Sequence, residues 1–334
     1  MMLTRPTPPA SPAPSSGDGT LHRGLLGGLV IVLLLGLSPT KPERAERLAG
    51  AMPVRLDTIT TADVRGIASF DDARALAVDP RGRLYVADAG RDVVTVWDAD
   101  GTRLHTFGGS GARPGRFNTP VDVDPTNGLQ LLVADADNSR IQRFSSDGRL
   151  LDVLPVRRFS DASAGESVVD PSRSFHSQGA VGRPVAVAST PAQDILALDG
   201  RHRTLLRWDA NRRVERLAHA DAVGDARLRA PVDVALDNHR RLYVADADAV
   251  LVFDRFGTFA RRFDVPKEAA PIHAITAHDN RLWIVRPHSV TAVSADTGTR
   301  LQSSVVALGA PLMDIAFSGS RRYLLTSTRV VRVR

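Results

Sequence analysis

Short apolar runs that end in a polar residue recur along the chain at nearly constant spacing. Leu84-Tyr85-Val86-Ala87-Asp88 returns as Leu131-Leu132-Val133-Ala134-Asp135, as Ile195-Leu196-Ala197-Leu198-Asp199 and as Leu242-Tyr243-Val244-Ala245-Asp246. Two looser copies follow, Leu282-Trp283-Ile284-Val285-Arg286 and Arg322-Tyr323-Leu324-Leu325-Thr326. The final positions of these six runs lie 47, 64, 47, 40 and 40 residues apart. A proline stands ahead of five of them, at Pro120, Pro184, Pro231, Pro271 and Pro311. Behind each run an apolar residue (Trp97, Phe144, Trp208, Phe253, Val293, Val333) closes a further short run. Turn clusters such as Asp98-Ala99-Asp100-Gly101 and Asp254-Arg255-Phe256-Gly257 then lead into a fourth apolar run,.

Each unit therefore reads as four short strands separated by turns, and a repeat of about 40 to 50 residues built that way is the pattern of a propeller blade. The expected fold is an all-β, six-bladed β-propeller of four-stranded antiparallel blades. The last unit stops in its third strand, at Arg329 to Arg334, while Val54 to Thr60 precedes the first unit without a header of its own. That segment is expected to supply the missing outer strand of blade six and close the ring.

The second unit carries a closer likeness. Pro120-Val121-Asp122-Val123, then Val133-Ala134-Asp135-Ala136-Asp137-Asn138-Ser139-Arg140-Ile141-Gln142-Arg143-Phe144, with Asp147-Gly148 behind, resembles the NHL-repeat family, and the resemblance covers about residues 54 to 334. Units one, two and four match well, unit three has Ala197-Leu198 in place of Val-Ala, and units five and six lose the Asp. The resemblance implies a structural role for Asp88, Asp135, Asp199 and Asp246, each bonding backbone in the turn beside it, as short acidic side chains do.

Ahead of the propeller, residues 1–20 are rich in Pro, Ser and Gly and bury almost nothing, so they are expected to be a disordered tail,. Residues 21–51 hold Gly24 to Leu37, fourteen uncharged residues bounded by Ser38, Pro39 and Lys41. A spanning helix needs about 20 apolar residues and an export signal about 7 to 15. The segment is expected to be a signal peptide or a retained anchor: the small-residue site Ala49-Gly50-Ala51 lies beyond a charged stretch, which leaves both open. The propeller then occupies 52–334, in a periplasmic, extracellular or membrane-anchored protein.

Composition narrows the chemistry. The absence of cysteine removes disulfides, thiolate zinc sites and cysteine nucleophiles,. Two residues beyond the prolines stand Ala75, Asp122, Ala186, Asp233, His273 and Met313, with Asp124 deeper, and carboxylates with an imidazole on one axis suit a divalent cation or acid–base work,. Asp122, Asp124, Asp233 and His273 are the candidate ligands of calcium or zinc in the central channel; Asp122, Asp233 and His273 are also the catalytic candidates. The long spacing between the second and third runs falls in a loop from Arg157 to Arg183, whose Arg157, Arg158, Arg173, His176 and Arg183 are candidate binding residues, since loops this long are usually functional or disordered,. NHL-like propellers include RNA binders, but beyond residue 51 basic residues exceed acidic ones by only four and aromatics make up 5% of the chain. Nucleic acid is therefore not the expected partner. Two functions stay open. One is a monomeric, non-catalytic binding or scaffold module that takes a protein or glycan on its channel face and meets the membrane only through residues 21–40. The other is a metal-assisted lyase or lactonase-like hydrolase, by analogy with similar six-bladed propellers.

Overall fold

Strands that alternate sides and are apolar on both must be covered on both, and a ring of radially packed sheets does this with few free edges. The computed structural model describes residues 55–125, 128–158, 181–219, 221–222, 224–265, 268 and 270–333. The leader, residues 1–51, and residues 159–180 of the long loop lie outside them. Among the described residues no helix is long and apolar enough to cross a membrane.

The described chain begins with β1 (Arg55–Thr60) and β2 (Val64–Ser69). Blade one holds β3 (Ala73–Val78), β4 (Leu84–Asp88), β5 (Val93–Trp97) and β6 (Arg103–Gly108). Blade two holds β7 (Pro120–Asp124), β8 (Gln130–Asp135), β9 (Arg140–Ser145) and β10 (Leu150–Pro155). Blade three holds β11 (Pro184–Ser189), β12 (Ile195–Asp199), β13 (Thr204–Trp208) and β14 (Val214–His219). Blade four holds β15 (Pro231–Leu236), β16 (Leu242–Asp246), β17 (Ala249–Phe253) and β18 (Phe259–Asp264). Blade five holds β19 (Ala274–His278), β20 (Arg281–Arg286), β21 (Ser289–Ser294) and β22 (Arg300–Ala307), and blade six β23 (Leu312–Ser318), β24 (Arg321–Thr326) and β25 (Arg329–Val333). Within each blade the strands pair antiparallel in chain order. The first strands of successive blades neighbour one another around the axis, β23 against β3 included, so the ring is closed.

The core is divided among the blade interfaces. On β4, Tyr85 and Ala87 pack toward blade two with Val123, Val133 and Phe144, whereas Leu84 and Val86 pack toward blade six with Tyr323 and Leu325. All five residues of β4 are buried as a result, as are those of β12 and β16.

The closing strand differs from the expected one. β2 pairs antiparallel with β25, Val64 opposite Val333 and Ser69 opposite Arg329, and completes blade six. β1, the segment expected there, runs parallel to β22 from Arg55 opposite Gln302 to Thr60 opposite Ala307, as a fifth strand on blade five. β2 conceals itself in the sequence because only Val64 of its six residues is fully buried and a bulge interrupts it between Gly66 and Ala68. Connection length favours β2, since three residues separate it from β3.

Truncation separates the two strands. Among the residues whose burial is described, removing residues through Thr60 withdraws Ile59 alone from the core between blades five and six, and it is expected to leave one cooperative unfolding transition. Removing residues through Ser69 also withdraws Val64, Ile67 and Ala68 and bares the edge of β25. It is expected to cost about 3 kcal/mol or more, the scale of deleting a large core side chain. Denaturant melts of the two truncations check this; equal losses would mean that β2 does not close the ring.

Candidate functional site

Three of the six innermost strands place a carboxylate at the same register. Asp122 of β7 lies opposite Ala134, Asp233 of β15 opposite Ala245 and Asp314 of β23 opposite Leu325. The matching residues of the other blades are Ala75, Ala186 and Ala274. Carboxylate and alanine thus alternate around the channel. This corrects two positions of the expected set: Ala274 replaces His273 and Asp314 replaces Met313. The cause is the first hairpin of blades five and six, which is one residue shorter. Ala277 pairs with Leu282 and Phe317 with Arg322, while Leu236 pairs with Leu242 in blade four, so a count from the proline runs one residue off. At the tip of the blade-five hairpin, Asp279 and Asn280 both have positive φ, 50° and 55°, the two-residue turn that suits twisted strands,.

Each of these carboxylates stitches two blades. Asp122 accepts the N–H of Val123 (2.7 Å) and that of Val187 in blade three (2.7 Å). Asp233 accepts from Val234 (2.7 Å) and from Ile275 in blade five (2.8 Å). Asp314 accepts from Ile315 (2.7 Å) and from Leu76 in blade one (2.8 Å). Burial pushes the carboxyl of Asp122 well above its ordinary range, with the charges of Asp233 and then Asp314 adding to it and the two backbone N–H groups acting against. Burial and the charge of Asp233 raise Asp314, and burial raises Asp233 to about 7.

The other metal candidates are also occupied. Asp124 accepts the N–H of Ser189 across the same blade interface, and His273 Nδ1 lies 2.6 Å from the Leu312 carbonyl oxygen. Among the described residues no group of three or more acidic or histidine side chains is placed to hold a metal ion. Both oxygens of Asp122, Asp233 and Asp314 accept backbone N–H groups, a satisfied arrangement that does not fit a set of ligands left open to a divalent ion.

The acidic residue ending the second strand is structural, as the resemblance implies, but only Asp88 and Asp199 bond backbone in the turn beside them, and all four take backbone donors from the loop that enters the blade. Asp88 accepts from the N–H groups of Asp71, Asp72 and Gly90 at 3.0 to 3.2 Å. Asp135 accepts from Asn118 (2.8 Å) and from the side chains of Asn138, Arg140 and Gln142. Asp199 accepts from the N–H groups of Arg183 (2.9 Å) and Arg201 (3.0 Å), and Asp246 from those of Arg229 (2.8 Å) and Ala230 (2.6 Å). All four are fully buried.

Those last bonds shape a groove of about 580 Å³ between blades three and four, lined by Arg183, Arg201, Arg203 and Arg229 over Val185, Gly200, Ala230, Pro231 and Val232. It opens on the face where the first strands begin. A Cβ on Gly200 would stand 2.7 Å from Val185 Cγ1, so a bare backbone keeps the floor closely packed there. Arg183 pairs with Asp137 at 3.0 Å, and Arg201 reaches the Val181 carbonyl at a long 3.5 Å. Arg203 and Arg229 are exposed and make no ion pair among the described residues. Asp137 is held below the ordinary carboxyl range by the Thr119 hydroxyl, then by Arg183 against the opposing effect of burial. Of the expected binding residues, Arg183 lines the groove, Arg157 and Arg158 are exposed and Arg157 bridges Val181 just before it. Arg173 and His176 lie outside the described residues. Arg201, Arg203 and Arg229 were not among the expected residues, and in the linear chain nothing joins Arg203 to Arg229.

No family model matches the chain. NHL-repeat proteins match it by sequence. It is 31% identical over 123 residues to the human E3 ubiquitin-protein ligase NHLRC1, and 30% identical over 128 residues to the RING finger protein nhl-1 of Caenorhabditis elegans. Those matches cover 36% and 38% of this chain, but only 31% and 11% of the relatives' own lengths. Among solved structures, a gluconolactonase from Xanthomonas campestris superposes with a TM-score of 0.58 at 14% identity, covering 80% of this chain and 87% of that one. A virginiamycin B lyase from Staphylococcus aureus gives 0.56 at 11%, covering 80% and 97%, and the WD40 repeats of RRP9 give 0.56 at 12%, covering 83% and 99%. At such identities these neighbours share the fold. The protein is a six-bladed β-propeller with NHL-repeat relatives.

The channel carboxylates make stability depend on pH. A folded-state pKa of about 7 for Asp233 against an ordinary 3.8 means the folded protein binds that proton more tightly. The resulting stabilisation is complete below about pH 4 and is lost as the pH rises through about 7. The melting midpoint is expected to fall over that window, and Asp233→Asn to flatten the slope while lowering the midpoint in acid, because the amide loses one acceptor. Calorimetry from pH 4.5 to 8 checks this; an unchanged slope in Asp233→Asn would remove the carboxylate as its source.

Proposed function

We propose that this propeller is a non-catalytic binding module, exported or anchored outside the cytoplasm, that takes a protein or glycan partner on the face bearing the groove. One observation carries the proposal: four arginines converge on one opening there, and two exposed ones, Arg203 and Arg229, have no ion-pair or hydrogen-bond partner for their side chains among the described residues. A solvated guanidinium held against an apolar floor is ready to exchange water for a ligand acceptor, and arginine is enriched at binding surfaces for this reason. The engaged channel carboxylates support binding over metal-assisted turnover. The uncharged run Gly24 to Leu37 supports export or anchoring,. The relatives named above include an E3 ubiquitin-protein ligase and a RING finger protein, but this chain spans under a third of either, so their activities do not carry over.

Site-specific photocrosslinking in the intact source cells tests the proposal. A crosslinking side chain at Arg203, on the groove face, is expected to capture a discrete partner, and one at Asp100, in the opposite-face turn between β5 and β6, is not. Fractionation of the same cells is expected to place the full chain with exported or membrane material. Equal capture at both positions would overturn the binding face, and metal-dependent lactone hydrolysis abolished by Asp122→Ala would replace the module with an enzyme.

A further inference from the structure

The groove has features that specify its occupant more narrowly than a generic binding face. Its arginine-bearing segments are fixed from beneath by buried carboxylates. The N–H groups of Arg183 and Arg201 both donate to Asp199, and that of Arg229 to Asp246. The Gly200 N–H also donates to the Arg183 carbonyl (3.0 Å), tying the turn between β12 and β13 to the entry of β11. The backbones that carry these cations are therefore placed before any ligand arrives, which lowers the ordering cost of binding.

The edge of the groove shows which acceptor it receives. The Asp137 carboxylate sits against Arg183 Nε at 3.0 Å and takes the Thr119 hydroxyl at 2.7 Å on its other oxygen. An aspartate from blade two thus already occupies the Arg183 end of the groove, while Arg203 and Arg229 further along keep their guanidinium groups in solvent. The planar fork of arginine matches a carboxylate in two parallel hydrogen bonds. Among the described residues no aromatic side chain lines the groove, and the stacking on which single-stranded nucleic acid binding relies has no platform among them,. Between the cations, Val185, Pro231 and Val232 offer an apolar floor suited to the aliphatic part of an extended peptide.

From this juxtaposition we infer that the groove between blades three and four binds an acidic protein segment, an extended stretch whose Asp or Glu side chains pair with Arg203 and Arg229 while its backbone lies over Val185 and Val232. The inference rests on the binding-module function and narrows its partner class to an acidic peptide.

Fluorescence anisotropy with the full chain tests it. The probes are a short labelled peptide of alternating Glu and Gly, its Gln-for-Glu counterpart, and a labelled single-stranded RNA of mixed sequence. The Glu peptide is expected to bind and the Gln peptide not, with affinity falling as salt rises from about 0.05 to about 0.3 M, as exposed charge pairing requires. Arg203→Glu combined with Arg229→Glu is expected to weaken binding at least about tenfold with the melting midpoint unchanged, since both side chains are exposed. Arg321→Glu, an exposed reversal in the blade-six hairpin on the opposite face, is expected to leave it unchanged. No binding of the Glu peptide, binding unaffected by the double reversal, or tighter binding of the RNA would each overturn the inference. If crosslinking at Arg203 still captures a partner in that event, the binding module stands and only the acidic nature of its ligand is lost.

Discussion

In blades one to four the groove face hangs from one interaction, a fully buried aspartate at the end of the second strand that gathers backbone N–H groups from the loop entering its own blade. In Asp88, Asp199 and Asp246 the donors lie 16 or 17 residues upstream. A buried carboxylate is costly unless its oxygens are satisfied, and removing such an acceptor strands several donors at once. Loops that would otherwise wander are thereby drawn onto the ends of the sheets. The stability of the blade and the position of the face are the same interaction viewed from two sides, because Arg183, Arg201 and Arg229 are among the residues whose N–H groups are gathered.

The channel repeats this device with a twofold alternation. Asp122, Asp233 and Asp314 each join an even-numbered blade to the odd-numbered one that follows, so the ring is three stitched pairs of blades. The stitches resemble metal ligands in composition but not in action. A metal site needs carboxylates turned toward a common point, whereas these face backbone N–H groups of the adjoining blade. Burial and mutual repulsion favour their protonated forms, and the same physics makes the channel sensitive to pH,.

The repeat and its six units were legible because the second strand of each blade is buried on both faces, so runs such as Leu242 to Asp246 cannot vary freely. The function of the terminal Asp was legible for the same reason. The closing strand was not: β2 contributes one fully buried residue, and its Gly66 bulge breaks the alternation that marks a strand. Asp314 escaped because the turn after β23 is one residue shorter, and a two-residue turn and a longer aspartate-capped loop leave the same apolar pattern on either side. A period read from the strands locates the strands well and their hairpins poorly. Of the groove, only Arg183 could be anticipated. Arg203 and Arg229 meet it through topology, since the turn between the second and third strands of one blade abuts the entry of the next.

Departures from the repeat follow the same division. Blade five carries Arg286 where four blades carry Asp, buried beside Glu268, which accepts the Ser289 hydroxyl at 2.6 Å, so the charges of this corner are inverted within the same architecture. Blade six carries Thr326, whose hydroxyl serves the nearby Arg329 backbone. Neither residue can gather the N–H groups of an upstream loop as a carboxylate does. The connections entering these two blades run a different course: the His273 N–H donates to the Val285 carbonyl, and the Leu312 N–H to the Pro287 carbonyl. The arginine groove, by contrast, lies between blades three and four, which both retain the Asp. A binding surface made of loops needs those loops held in place, and the buried carboxylate is what holds them there.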